Sequence, residues 1–211
     1  MNKRSFFSLC AIALAAPSIS HAQLGNLLGN TKLLGTGSGG ADLTGQQSSL
    51  VHNYMAAGKD VMQANTHLAH ALGIQAEMVN ASATSDSLSA SDIEEQDKAI
   101  SANAAAISGA LKNNAKLKDS EAKTTYAKGL LSLALGMKKY LDMQKDVKTM
   151  SSSLSNASPF QLVSLQPSLY VVKNLPSSIT NVSDALKNAI SFARSNGVEV
   201  PKSVASVQSL I

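Results

Sequence analysis

Residues 128–141 read Lys128-Gly-Leu-Leu-Ser-Leu-Ala-Leu-Gly-Met-Lys-Lys-Tyr-Leu141, and this stretch decides the fold. From Leu130 to Leu141, leucine, alanine, methionine or tyrosine falls on nearly every side of a helix. A helix that is apolar all round has to be covered all round. Spanning a bilayer takes about 20 apolar residues, more than this run supplies. The stretch is therefore expected to be the middle of a buried helix with other helices on several sides. Any gap those covers leave would be lined by Leu130, Leu133, Met137 and Tyr140.

The same helix extends outward from that centre. Asp119-Ser120 can cap it, and Tyr126, Leu130, Leu133, Met137, Tyr140, Val147 and Leu154 form a seam from about Glu121 to Leu154. Leu131, Leu135 and Leu141 widen the seam into the all-round band, and Ser151–Ser158 ends it. Three further apolar stripes are the natural covers. Leu50, Tyr54, Ala57, Val61, Ala64, Leu68, Leu72 and Val79 mark a first helix over about 43–80, in which Gly58 or Gly73 can mark a bend. Ile93, Ile100, Ala104, Ile107 and Leu111 mark a second, ending near Asn113-Asn114. Its start is expected at Ser91-Asp-Ile-Glu94, a capping-box pattern. Its small-residue middle, Ala102–Ala110, suits close approach of another helix.

No proline occurs between Gln23 and Ser158, which suits three long helices. Beyond it, Ser158-Pro159 reads as N-cap and first helical residue. Pro167 and Pro176 are expected to cut the chain into short pieces, Phe160–Gln166 and Ser168–Leu175. A last helix then runs from about Ser177 to Ser195 on Ile179, Val182, Leu186, Ile190 and Ala193, stopped by Gly197. The expected fold is all-α: an antiparallel bundle of about four helices over residues 46–200, with a proline-broken segment between the third and last. Loops at 81–90 and 113–119 are short enough for antiparallel neighbours. Residues 201–211 form a C-terminal tail or a short helix.

The N-terminus carries a different message. Lys3-Arg4, an apolar run from Phe6 to Ala16 and small residues up to Ala22 describe a secretory signal peptide of bacterial type, cut near Ala22. The mature chain would be periplasmic or secreted. It would lack the single cysteine, and so both disulfide and thiolate chemistry. Losing Lys3 and Arg4 lowers the net charge from +4 to +2, too little for the basic footprint of a nucleic-acid binder. Seven of the thirteen glycines fall in residues 23–45, so this leader is expected to be flexible.

Candidate chemistry is sparse. His67 and His70 sit one turn apart, but neither has a carboxylate, cysteine or methionine one turn away, and His52 is about 27 Å from His70 at 1.5 Å per residue. Surface histidines are the expectation, with no metal and no cofactor. Gly35-Thr-Gly37-Ser-Gly-Gly40 matches the dinucleotide fingerprint in letters but lacks the flanking strands that fingerprint needs. The methionines are expected as core filler. Asp92, Glu94, Glu95 and Asp97 are accounted for by the positive end of a helix. Asn80, Asn156 and Asn181 are glycosylation sequons by letter only.

Lys116, Lys123, Lys138, Lys145 and Lys148 share one sector of the third helix, a candidate docking face for an envelope protein or an anionic lipid surface. With no nucleophile elbow and three histidines on one helix, the expected function is a non-catalytic binding or structural module of the bacterial envelope. The alternative is a carrier of an apolar ligand or lipid between its helices.

Overall fold

The computed structural model describes residues 40–74, 89–113 and 115–211. The expected signal peptide, the leader up to residue 39, most of the 81–90 loop, and Met78, Val79 and Asn80 lie outside them. Every regular element among the described residues is an α-helix, with no strand. No helix among them is long and apolar enough to cross a membrane.

Helix α1 (Gly40–Leu72) begins within the expected leader, so Gly40–Gly45 is already helical. It stops at Gly73, whose φ of 68° is the left-handed conformation that ends helices, and not at Asn80 as the periodicity suggested. Its predicted stripe from Leu50 to Leu68 is buried throughout. Helix α3 (Ser120–Asp142) is capped by Asp119, whose carboxylate accepts from Ala122 N at 2.8 Å. The two helices meet on small residues. A Cβ at Gly129 would lie 2.8 Å from Leu68 Cγ, and one at Gly136 would lie 2.7 Å from Val61 Cγ2 and 3.0 Å from the Ala57 carbonyl. As the α3 number rises the α1 number falls, so α1 and α3 are antiparallel. Lys139 and Asp60 pair across them at 2.7 Å.

Helix α2 (Ala90–Lys112) starts two residues earlier than expected. Ser89, not Ser91, accepts from Asp92 N, and Ser89 in turn bonds the Asp92 carboxylate at 2.6 Å. The predicted apolar face is also displaced. Ile93 and Ile107 are buried, but Gln96, Ala99 and Asn103 complete that face while Ile100, Ala104 and Leu111 are only half-buried. Gln96 donates to the Met55 carbonyl at 3.3 Å and Asn103 donates to Met62 Sδ at 3.7 Å. These contacts rise together in both helices, so α1 and α2 run parallel. This corrects the expected antiparallel pairing.

Helix α3 does not continue unbroken to Leu154. The chain turns at Met143, buried and still in right-handed helical conformation, into α4 (Gln144–Ser155). No glycine or proline marks the place. The turn keeps Met150 and Leu154 in the core. Residues 151–155, expected to break the helix, belong to α4. Helix α5 (Pro159–Ser164) opens as predicted with Ser158 as N-cap, reinforced by a capping box with Gln161.

Helix α6 (Gln166–Ser195) overturns the expected break at Pro176 and runs straight through it. Proline there removes one helical hydrogen bond. Pro176 itself is exposed, and the carbonyl it leaves without a helical donor belongs to the half-buried Val172. Ser168 Oγ donates to Gln47 Oε1 at 3.1 Å, and Gln47 Nε2 donates to the Ser164 carbonyl at 3.2 Å, tying the α5–α6 joint to α1. Gly197, at φ 65°, follows the Asn196 cap as expected. The C-terminal residues are not a free tail: α7 (Lys202–Gln208) buries Val204 and Val207 against α3, and Arg194 donates to Gln208 Oε1 at 3.1 Å.

Tyr126 OH donates to the Ala189 carbonyl at 3.2 Å, while Tyr54 of α1 bonds Ser178 of α6. With the Gln47–Ser168 contact, these bonds show α6 running antiparallel to α3 and parallel to α1. Three long helices (α1, α2 and α6) thus point one way and α3 the other, in place of an alternating bundle.

Candidate functional site

Two parallel helices, α2 and α6, stand on the α1–α3 pair, and their facing side chains are short. Ser101, Ala104, Ala105 and Ser108 on one wall meet Ser177, Ser178, Ala185 and Asn188 on the other. Such side chains cannot fill the space between two helices, so a groove stays open along them. The small-residue middle of α2, expected to bring a helix close, instead forms part of this wall.

The groove has two communicating hollows. One, of about 690 Å³, runs from Glu94, Asp97 and Tyr170 to Ser108 and Asn188. The other, of about 480 Å³, continues from Ala104 and Ala185 to Lys116 and Asn196. From Asp97 to Lys112 the α2 wall is about 22 Å long at 1.5 Å per residue. Asn65 and Leu133 line both hollows and form the floor where they join. Asn65 is 3 % exposed, and its Nδ2 donates to the Ile100 carbonyl at 3.4 Å.

At one end sits a polar cluster. Asp97 Oδ2 accepts from Tyr54 OH at 2.7 Å and from Tyr170 OH at 3.1 Å, and Tyr54 OH also bonds Ser178 Oγ at 2.8 Å. The Tyr54 and Tyr140 rings lie 5.3 Å apart beneath it. Burial pushes the Asp97 carboxyl above the usual carboxylate range, although the two tyrosine hydroxyls pull it part of the way back. Burial, then Tyr140 and Asp97, drive the Tyr54 hydroxyl far above its ordinary value, so it stays a donor. Asp97 was expected to serve only the helix start. It has a different role from Glu94, which pairs with Lys98 at 2.7 Å on the surface.

The opposite end mixes apolar and small polar side chains and has a basic rim. Leu68, Ile107, Leu111, Leu133 and Phe192 line it together with Asn65, Ser108, Asn188 and Ser191, and among the described residues its charged ones are Lys112 and Lys116.

The predicted cavity residues separate. Leu133 lies on the floor of both hollows and Tyr140 on that of one, whereas Leu130 and Met137, each 0 % exposed, are packed away from both. The all-round band is not covered all round: Leu131 is 37 % and Leu135 55 % exposed.

The predicted lysine sector also disperses. Lys116 precedes α3 on the groove rim, Lys123 lies within 3.5 Å of a Cβ built on Gly197, Lys138 pairs with Asp142, and Lys145 and Lys148 sit on α4 beyond the turn. His52 and His70 are exposed and His67 is half-buried. No group of three or more His, Cys, Asp or Glu suited to a metal occurs among the described residues. Met137, Met143 and Met150 are buried.

Sequence reasoning missed Asp97, Tyr170, Ser178 and Asn65. The run of small residues at 101–108 and the four tyrosines were visible signals, but their convergence needed the helix directions. Compared with protein-family models, with curated proteins and with solved structures, the chain matches none.

Proposed function

We propose that the protein is an exported, non-catalytic binding module of a bacterial cell envelope, and that the α2–α6 groove is its receiving surface. The observation that carries this reading is the groove itself, held open by short side chains on two parallel helices and floored by the core. Export follows from the signal-peptide pattern ending near Ala22. The polar cluster at Asp97 supports binding rather than catalysis. Its donors are tyrosines whose protons are held by burial, and no thiol or histidine accompanies them. An envelope protein or a lipid surface is the setting in which such a groove would be occupied.

The test is native mass spectrometry of protein purified mildly from its own host, beside an Ala104→Leu/Ala185→Leu variant that fills the groove. A discrete bound mass on the parent and not on the variant is the expected result. Repeatedly empty parent protein, or a mass retained by a folded variant, overturns the reading. Turnover in a hydrolase screen that vanishes on replacing His67 or His70 would overturn its non-catalytic part.

A second reading, a carrier of an apolar ligand or lipid, is favoured by one specific observation. The end of the groove beside Lys116 is walled by Leu68, Ile107, Leu111, Leu133 and Phe192 with a few asparagines and serines among them, the mix of apolar surface and placed polar groups that small-molecule pockets use.

A further inference from the structure

We infer that the basic end of the groove is a site for a single-chain amphiphile with a carboxylate head. Its chain would lie along Leu111, Phe192 and Leu133, and its head between Lys112 and Lys116. This rests on the groove being the receiving surface and adds the ligand class and its direction.

Three observations converge. The apolar side chains lie inside the hollow while both lysines are exposed at its rim, the layout an amphiphile needs and a wholly apolar ligand does not. Among the described residues no acidic side chain lines this hollow and neither lysine makes an ion pair, so an anionic head would meet cations without a carboxylate partner there. Lys112 in the last turn of α2 already answers the negative end of that helix, whereas Lys116 lies beyond it and has no such partner. The groove continues past Leu133 for a total of about 22 Å. An extended chain of more than a dozen carbons therefore has room, and it stops short of the acidic end at Asp97, which would repel a second carboxylate.

The test is calorimetric titration of the purified protein with decanoate, dodecanoate and tetradecanoate, and with dodecanol as the headless probe. One-to-one binding is expected, tightening about threefold to fourfold per added carbon as each methylene is buried. Lys112→Gln/Lys116→Gln, two surface changes whose fold is checked by circular dichroism and the melting temperature, should weaken dodecanoate about tenfold, the loss expected for a charge-assisted contact. The same variant should leave dodecanol unchanged. Equal affinity of the parent for dodecanol and dodecanoate, or no effect of the lysine change, overturns the head placement. No binding of any carboxylate overturns the ligand class. If native mass spectrometry still shows a groove-dependent mass in that case, the groove reading stands without it; if the protein is also empty, both fall.

Discussion

At the scale of single residues, glycines that look alike in the sequence have opposite roles. Gly136 has no room for a side chain against Val61 and Ala57, whereas nothing lies within 4 Å of a Cβ built on Gly109. Gly136→Ala should therefore cost about 1–3 kcal/mol by overpacking the α1–α3 seam. Gly109→Ala should stabilise by about 0.5–1 kcal/mol through helix propensity. Urea unfolding of both variants checks the pair, and a stabilised Gly136→Ala would refute the seam. Asp97 makes a second residue-scale prediction. Its folded-state pKa is raised, so the protonated form is the better tolerated one. That contribution is full below the ordinary carboxylate pKa and is lost as pH rises through the raised value. The stability of the parent relative to Asp97→Asn should thus fall between pH 3 and pH 7, measured by denaturant midpoints at both. A flat difference would contradict the buried setting of the carboxyl. Tyr54→Phe, which removes a donor from Asp97, should cost about 1–3 kcal/mol at neutral pH.

At the scale of elements, α3 shows why periodicity reads a seam more securely than its surroundings. Tyr126, Leu130, Leu133, Met137 and Tyr140 are all buried, as their spacing predicted. Leu135 is equally apolar and lies in the same helix, yet is 55 % exposed, because none of the described helices covers that side. Leu130→Ser should cost more than about 3 kcal/mol and Leu135→Ser under about 0.5 kcal/mol, read from thermal and urea unfolding. Similar costs would mean that the band is covered after all. The capping signals at Asp119, Ser158 and Gly197 were legible because each acts within one helical turn. The true cap of α2 at Ser89 was masked by an equally good pattern two residues later. The turn at Met143 carries no local signal, since it is imposed by what α4 packs on. Continuation of α6 through Pro176 was hidden for the related reason that tertiary packing outweighs one lost backbone bond.

At the scale of the whole molecule, helix direction creates the groove. Because α2 and α6 run parallel to α1, the polar cluster and the basic rim fall at opposite ends of one channel. Spin labels at Asn53 and Glu95, both exposed and level with each other beside the Tyr54–Asp97 and Met55–Gln96 contacts, should give a short distance by double electron resonance. Labels at Asn53 and Lys112 should be farther apart by about 20 Å, following the helical rise. The reverse order would restore the antiparallel arrangement and remove the groove as described.

The amino-acid sequence by itself determined that this chain is helical, where α2 and α6 stop, and most of the stripes by which α1, α3 and α6 enter the core. Those features follow from spacing, capping and glycine conformation, all of which act over a few residues. Only the tertiary structure decided the directions of the helices, the open side of α3, the burial of Gln96 and Asn103 in place of Ile100 and Leu111, and the meeting of Asp97 with Tyr54 and Tyr170. Each depends on partners distant in sequence, and an apolar stripe states that it must be covered without stating by what or from which direction.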